Sequence, residues 1–251
     1  MGPKNAMFPD TLEVKMQKET WTSAQTLLID ADDTLWENNI YFERAIASFI
    51  SYLDHHEYTP AQVREKLNQV EREHTSQHGY GVASFRRSLV ICFERLSVEP
   101  ITAEKHERIV SFAQAILEQE IELLPGVAAT LPHLASRHRL ILMTKGNADE
   151  QADKLARSGL REYFSAVEVP REKNPAAYCA VCERHRLEPA HTWMIGNSPR
   201  SDINPALASG LHAIYIHHPN MWVLEHDDLD AAPEGQHLLE VESFTKLAEI
   251  F

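Results

Sequence analysis

The chain has 251 residues, of which 43% are hydrophobic and 24% are charged, a composition typical of a soluble globular protein with a substantial core. Its formal net charge of -13 argues against nucleic acid as a partner, because binding to a phosphate backbone requires a basic patch and no basic run is visible. There is no run of ~20 apolar residues for a membrane helix, no secretion signal, and too few cysteines for a disulfide framework, so we expect a cytoplasmic protein that does not bind membranes.

The first strand-like segment ends in a pair of carboxylates. Residues 1–22 mix charged residues, Pro and Met without a clear period and predict an N-terminal arm. The apolar run over residues 26–29 predicts a buried strand, and Asp30 and Asp32 follow it directly. Burying two carboxylates so close together is costly unless a cation or a substrate compensates. Two interpretations remain open at this point: a nucleophile with a neighbouring general acid and base, or an acidic turn that caps a helix.

The stretch from about residue 44 to 122 predicts a helical insertion, since its apolar residues recur at helical spacing and no comparable strand pattern appears. Within it, Gly79 and Gly81 flank Tyr80 in a predicted loop where the backbone can approach a ligand closely. We expect His78, Tyr80 and Arg86 to contact a substrate. The alternative is an ordinary connection between two helices.

Strands and helices alternate through the rest of the chain. Strands are predicted at residues 139–144, 164–169, 192–196 and 212–216, helices at about 128–134, 148–158, 175–186 and 203–209, and a short strand with a final helix within 241–248. This alternation implies right-handed crossovers. The predicted fold class is therefore α/β, a doubly wound, Rossmann-like parallel sheet with an inserted all-helical domain. The predicted boundaries are an arm over 1–22, a core over 23–43 and 123–251, and the helical insertion over 44–122.

Three later strand-like segments also run into small or polar residues. Thr144 follows one, Lys173 comes soon after the next, and Asp202 closes the stretch that begins at Gly196 and Asn197. Because strand ends share one edge of an open parallel sheet, these residues are expected to meet Asp30 at a common site. Taken singly, each also fits a structural role, as a helix cap or an exposed lysine.

These segments resemble the motifs of the haloacid dehalogenase-like hydrolase superfamily, in the order Asp30-x-Asp32-x-Thr34, Thr144, Lys173 and Gly196-Asn197-Ser198-x-x-x-Asp202. The helical insertion resembles that family's cap. The resemblance implies that Asp30 attacks phosphorus and becomes an aspartyl-phosphate, while Asp32 protonates the leaving alcohol and then deprotonates the attacking water. It also implies that Lys173 neutralises Asp30 and the phosphoryl group, and that Thr144 holds a phosphate oxygen.

The charge balance favours a metal at the predicted site. Asp30, Asp32 and Asp202 bring up to three negative charges against one positive charge from Lys173. Hard oxygen ligands favour Mg²⁺ over softer metals. The resemblance implies metal binding by Asp30, Asp202 and the main-chain oxygen of Asp32, with Asn197 standing where many relatives carry an acidic residue.

The leading hypothesis is a Mg²⁺-dependent phosphomonoester hydrolase, a phosphatase, that acts on a small soluble phosphorylated metabolite. We expect backbone amides near Lys145 and Gly146, and the side chain of Trp36, to bind this substrate. A 2-haloacid dehalogenase with the same nucleophile is an alternative, but dehalogenases of the family need neither Asp32 nor Asp202. A non-catalytic binding module is disfavoured, because every charged position of the pattern is present. The physiological substrate and the oligomeric state are not predicted by the sequence.

Overall fold

The fold was analysed in a computed structural model that describes residues 21, 23–53, 57–97 and 100–251. One parallel sheet contains the strands β1 (Thr26–Ile29), β2 (Arg139–Met143), β3 (Ala166–Glu168), β4 (Thr192–Gly196), β5 (His212–Ile216) and β6 (Leu238–Val241). Their spatial order is β3-β2-β1-β4-β5-β6. The predicted fold class is confirmed. The last strand begins a few residues before the predicted 241–248 segment, which instead holds a short 3-10 turn and the final helix.

Four long helices separate β1 from β2: α1 (Asn39–Leu53), α2 (Pro60–His78), α3 (Val82–Leu96) and α4 (Ala103–Leu117). They surround a hydrophobic cluster of their own, which includes Phe49, Leu67 and Leu89. We call these four helices the cap. The first of them starts earlier than residue 44, because the carboxylate of Asp33 accepts hydrogen bonds from the backbone amides of Asn38 and Asn39 at the helix start, at 2.8 and 3.0 Å. The proposed domain boundaries remain a prediction.

The remaining helices cover both faces of the sheet: α5 (Val127–Ala135), α6 (Ala148–Ser158), α7 (Pro175–His185), α8 (Asn204–Ala208) and α9 (Leu247–Ile250). Successive side chains of β1 explain this arrangement, since they point to opposite faces of the sheet. Leu27 and Ile29 pack in a cluster with residues of α5, α6 and α9, whereas Leu28 packs with residues of α7 and α8. Both faces are therefore buried, which fits the continuous apolar run over residues 26–29.

The central position of β1 places the end of this strand at the middle of the sheet edge. Ile29 pairs with Leu142 of β2 on one side and with Ile195 of β4 on the other. The backbone amide of Asp30 then donates to the carbonyl of Ile195 at 2.9 Å. Since the chain fills the sheet outward in opposite directions from β1, the edge between β1 and β4 is the switch point where ligands bind in such folds.

Most of the predicted arm over residues 1–22 lies outside the described residues. Its one described member, Trp21, packs edge-on against Trp193 with ring centroids 4.5 Å apart. The backbone amide of Trp21 donates to the carbonyl of Ile250 at 3.0 Å, so the chain joins the core at this point. Within the described part of the chain, every helix is too short or too polar to span a lipid bilayer.

Candidate active site

A buried cluster of two carboxylates and one ammonium lies at the sheet edge. Asp30 at the end of β1, Lys173 beyond β3, and Asp202 beyond β4 are 6%, 5% and 1% exposed, respectively. The Nζ of Lys173 donates to Oδ1 of Asp30 and, at 2.6 Å, to Oδ1 of Asp202. The structure therefore brings together three of the residues that the sequence predicted to converge.

The charges of this cluster are unbalanced. Burial raises the pKa of Asp30 to about 7, and the like charge of Asp202 adds to this effect, while Lys173 opposes it. Burial also raises the pKa of Asp202. The two carboxylates together raise the pKa of Lys173, although burial alone would lower it. One ammonium thus faces two buried carboxylates, so a further cation at this site would be stabilised.

The approach of Asp202 to the sheet depends on Gly196, the last residue of β4. A Cβ atom at position 196 would lie 2.2 Å from Oδ2 of Asp202, a distance that no side chain can tolerate. This same oxygen accepts a hydrogen bond from the backbone amide of Ser198 at 3.0 Å. The absence of a side chain at Gly196 therefore lets the turn after β4 fold back and place Asp202 beside β1.

Two polar side chains connect the ends of β1 and β4. The hydroxyl of Thr34 lies 3.2 Å from Oδ2 of Asp30 and 3.2 Å from Oδ1 of Asn197. A hydroxyl carries a single proton, so Thr34 donates to one of these oxygens at a time. Asn197, predicted as a metal ligand, is thus buried beside Asp30 and presents a neutral oxygen there.

Both carboxylate oxygens of Asp32 accept hydrogen bonds. Oδ1 accepts from Nε1 of Trp36 at 2.7 Å and from Nζ of Lys154 at 2.8 Å, and Oδ2 accepts from Nε2 of Gln151 at 2.8 Å. Burial opposes ionisation of Asp32, but the Lys154 ammonium and these hydrogen bonds hold its pKa below the usual range. Trp36, expected at the substrate, is instead fully buried in the core, and its indole orients Asp32.

The segment after β2 lies at the same edge. Thr144 is buried, and its hydroxyl donates to the carbonyl of Lys145 at 3.2 Å. The side chain of Lys145 turns away to Glu225 and Ser201, at 2.6 and 2.8 Å. Gly146 packs against Gln151, since a Cβ atom at position 146 would lie 2.8 Å from Nε2 of that residue. The Lys145 ammonium is thus engaged by other side chains rather than free for a ligand.

A cavity of about 160 Å³ lies between this sheet edge and the cap. Asp30, Asp32, Thr144 and Lys173 line it from the core. Tyr80 lines it from the cap, although its hydroxyl donates to Glu172, at 3.0 Å.

Two other residues that were expected at the substrate lie elsewhere. Arg86 is exposed on the cap, and the ring of His78 packs against that of His74 with centroids 4.3 Å apart. Neither His78 nor Arg86 lines the cavity in the described structure. The structure therefore does not bring these two side chains together with the buried cluster.

Oxygen atoms suited to a hard cation converge on the buried cluster. Asp30, Asp202 and Asn197 all line the cavity, and among the described residues the two carboxylates pair with Lys173 alone. This donor set fits Mg²⁺, which prefers carboxylate and amide oxygens and retains water in its other positions.

A second group of candidate ligands lies next to the cap. Atoms of Asp33, Glu37 and His218 lie within 4.8 Å of one another. Asp33 already accepts the backbone amides at the start of α1, and Nε2 of His218 lies 3.5 Å from Oε2 of Glu37. This group therefore connects the segment after β5 to the segment after β1.

Sequence reasoning did not find four of the polar residues around the cavity. Gln151 and Lys154 stand three residues apart on α6, a spacing that places them on one helix face and offered a usable signal. Glu71 lies on the apolar face of α2, four residues after Leu67. A carboxylate within an apolar helix face is a signal that the sequence also offered. Glu225 lies in a 3-10 turn whose sequence shows no comparable pattern.

The comparisons with known proteins agree with this geometry. A family model for haloacid dehalogenase-like hydrolases matches residues 24–210. A crystal structure of a haloacid dehalogenase-like family hydrolase from Xanthomonas campestris superposes with a TM-score of 0.78 and 30% identity, over 90% of this chain and 89% of that one.

Curated relatives are phosphatases by name. Human N-acylneuraminate-9-phosphatase is 33% identical over 102 residues, which are 38% of this chain and only 40% of the relative's length. Glyceraldehyde 3-phosphate phosphatase from Methanopyrus kandleri is 22% identical over 220 residues, covering 84% of this chain and 91% of the relative. The motif residues gathered at one sheet edge, the helical cap above them, and the extent of the family match lead to one conclusion: the chain belongs to the haloacid dehalogenase-like hydrolase family.

Proposed function

We propose that this hydrolase is a Mg²⁺-dependent phosphatase that removes the phosphoryl group from a small soluble metabolite through an aspartyl-phosphate intermediate. The observation that carries the proposal is the buried ammonium of Lys173, which donates to both Asp30 and Asp202 at the wall of the cavity. The phosphatase names of the curated relatives support the same reaction class. The free thiols of Cys92, Cys179 and Cys182 are consistent with a reducing, cytoplasmic location.

In the first step, a carboxylate oxygen of Asp30 forms a bond to phosphorus, and the bond from phosphorus to the ester oxygen breaks. The leaving alkoxide takes a proton from Asp32. Lys173 favours the ionised, nucleophilic form of Asp30 and offsets the charge of the phosphoryl group, while Thr144 and nearby backbone amides hold the phosphoryl oxygens. In the second step, water attacks phosphorus, gives a proton to Asp32, and frees the carboxylate of Asp30 together with inorganic phosphate.

The surroundings of Asp32 bear on both proton transfers. Lys154 and Gln151 hold it in the ionised form, which is the form that accepts a proton from water in the second step. The first step requires the protonated form. The negative charge of a bound phosphate ester raises the pKa of a neighbouring carboxyl group, and therefore favours that form when the substrate is present.

The metal of this proposal is Mg²⁺, which Asp30, Asp202 and the main-chain oxygen of Asp32 would hold, with Asn197 as a neutral neighbour. When bound, the ion supplies positive charge to the oxygens of the transferring phosphoryl group. A 2-haloacid dehalogenase would not need a buried second acid such as Asp202 next to the nucleophile and its lysine. This acid therefore favours phosphoryl transfer over carbon–halogen cleavage.

The test compares phosphate release from p-nitrophenyl phosphate with halide release from 2-chloropropionate, each with Mg²⁺ and with a chelator. Wild-type protein is compared with Asp30→Asn and with the control Asp228→Asn, which changes an exposed carboxylate that does not line the cavity. We expect phosphate release that requires Mg²⁺ and Asp30 and is unchanged in the control. Halide release, or phosphate release that persists in the chelator, would overturn the proposal.

A further inference from the structure

A carboxylate without a hydrogen-bond partner lies in the cap wall of the cavity. Glu71, on α2, is 5% exposed and lines the cavity that also contains Asp30. Its Oε2 is buried, and no donor among the described residues lies within hydrogen-bond distance of it. Burial raises the pKa of Glu71 to about 7. An unpartnered buried carboxylate costs folding free energy, so its presence at a cavity wall points to a ligand as the missing partner.

The arginines near Glu71 are bonded to other carboxylates. The guanidinium of Arg64 donates to both oxygens of Glu43, at 2.5 and 2.7 Å, and Arg72 donates to Glu65 at 3.3 Å. Within the described structure, Glu71 therefore has no ion pair of its own. A cation that balances its charge would have to enter from the cavity.

The whole cavity carries an excess of acid. Seven carboxylate residues line it, but only three lysines and no arginine or histidine do so among the described residues. Each lysine is engaged with an acid: Lys173 binds Asp30 and Asp202, Lys154 binds Asp32, and Lys145 binds Glu225. The lysines lie at the core side, whereas Glu71 lies at the cap side. A leaving group that carried another negative charge would be repelled by Glu71.

Besides Glu71, the cap wall carries the small polar side chains of Thr75, Ser84 and Ser88 and an apolar, aromatic part. Phe42 and Phe85 line the cavity and pack edge to face with centroids 5.0 Å apart, and Ile46 lies beside them. This surface suits an alkyl chain, and aromatic rings attract a nearby cation. Glu71 then provides the charged contact at the cap end of the cavity.

We propose that Glu71 determines specificity by binding a cationic amine on the alcohol portion of the substrate. The substrate class is an aminoalkyl phosphate, with the phosphoryl group at Asp30 and the ammonium group at Glu71. This inference rests on the proposed phosphatase activity. Asp30 determines which bond is broken, whereas Glu71 determines which alcohol portion is accepted.

The test uses matched series of phosphomonoesters with two to five carbons, each ending in an amine, a hydroxyl or a carboxylate. For wild-type protein, we expect kcat/KM for the best amine to exceed that of the hydroxyl ester of equal length at least tenfold, and to exceed that of the carboxylate ester further. In Glu71→Gln, the preference for the amine over the hydroxyl ester should fall to less than threefold. Turnover of p-nitrophenyl phosphate, which carries no amine, gives the reference rate for each protein.

Glu73→Gln is the matched control, because Glu73 is an exposed glutamate on the same helix. It should retain the amine preference in full, and thermal unfolding of both variants shows whether each is folded. Wild-type protein that hydrolyses p-nitrophenyl phosphate without favouring amines, or Glu71→Gln that retains the preference, would overturn the inference alone. If no phosphate ester is hydrolysed at all, the proposed function fails with it.

Discussion

Replacing Glu71 by Gln should stabilise the folded protein at alkaline pH and have little effect in acid. Burial raises the pKa of this carboxyl group from 4.5 to about 7 in the folded state. Each pKa unit corresponds to about 1.4 kcal/mol, so the interval between these two values amounts to about 3 kcal/mol. This figure is the largest effect that the charge of Glu71 can have on the free energy of unfolding.

The direction in which stability changes with pH depends on whether the folded or the unfolded state holds the proton of Glu71. Below pH 4.5 Glu71 is protonated in both states and costs nothing relative to Gln. Between pH 4.5 and 7 the unfolded chain ionises while the folded protein keeps its proton, so the stability of wild type falls as the pH rises. Above pH 7 the full penalty applies. The Glu71→Gln variant lacks this penalty at every pH.

The assay is urea unfolding of wild type, Glu71→Gln and Glu73→Gln across pH 4.5 to 8.5, with the free energy extrapolated to water. Titration of Asp30 and Asp33, whose pKa values are also raised by burial, is common to all three proteins and cancels in the differences. Glu71→Gln should exceed wild type by less than ~1 kcal/mol at pH 5 and by up to ~3 kcal/mol at pH 8.5. A difference that does not grow with pH would refute the burial and isolation of Glu71.

Three further variants test the core side of the site. Lys173→Met should lower kcat/KM at least about 100-fold, and in urea unfolding at pH 8 it should destabilise the protein by roughly 3–5 kcal/mol. Both effects are expected because two buried carboxylates lose their ammonium. Activity within tenfold of wild type would contradict the role of Lys173. Gly196→Ala should abolish measurable turnover, because the added Cβ meets Asp202 at 2.2 Å; normal turnover would show that the turn adapts. Lys154→Met should lower kcat roughly 10- to 100-fold and leave KM within threefold of wild type, because Asp32 loses the ammonium that orients it. A change confined to KM would instead assign Lys154 to substrate binding.

Each of these variants has a control in the same chain. Lys246→Met changes an exposed lysine that pairs with Glu249 on the surface, and should leave kcat and KM unchanged. Gly235→Ala adds a methyl group in open space at a positive φ of 83°. This control should cost about 1 kcal/mol of stability without loss of activity, because only the backbone conformation is strained.

The strands were predictable because they are short, continuous apolar runs buried on both faces. The run at residues 192–196 and the run at residues 212–216 form β4 and β5 with the predicted bounds. Their carboxyl ends share one edge of a parallel sheet, so the convergence of Asp30, Lys173 and Asp202 followed from topology alone. Local pattern and global fold agree at these positions.

The contacts that surround Asp32 were not predictable in the same way. Lys154 and Gln151 donate to Asp32 from more than a hundred positions away. Their spacing on α6 shows that they share a helix face, but it does not show that this face meets Asp32. Trp36 follows Asp30 closely in the sequence, which favours a place at the substrate, yet its large apolar ring gains more by burial in the core. Closeness to Asp30 in the sequence therefore did not predict whether the ring of Trp36 faces the cavity or the core.

The cap was predicted as helical, but its contribution to the cavity was not. His78 and Arg86 were selected for their position near a loop with two glycines, and the helices carry them away from the cavity wall. Glu71 lies within α2, where the helical period turns it inward with Leu67. In the cap, the direction in which a side chain points depends on the helix phase more than on the distance to a loop.

The most direct test of the central claim is to trap the covalent intermediate. Wild-type protein is mixed with a turned-over phosphate ester and Mg²⁺, quenched in acid within the first turnover, digested, and mapped by mass spectrometry. We predict one phosphoryl group on the peptide that contains Asp30, and none in Asp30→Asn. Full turnover in Asp30→Asn, or a phosphoryl group on a different residue, would contradict the assignment of Asp30 as the nucleophile.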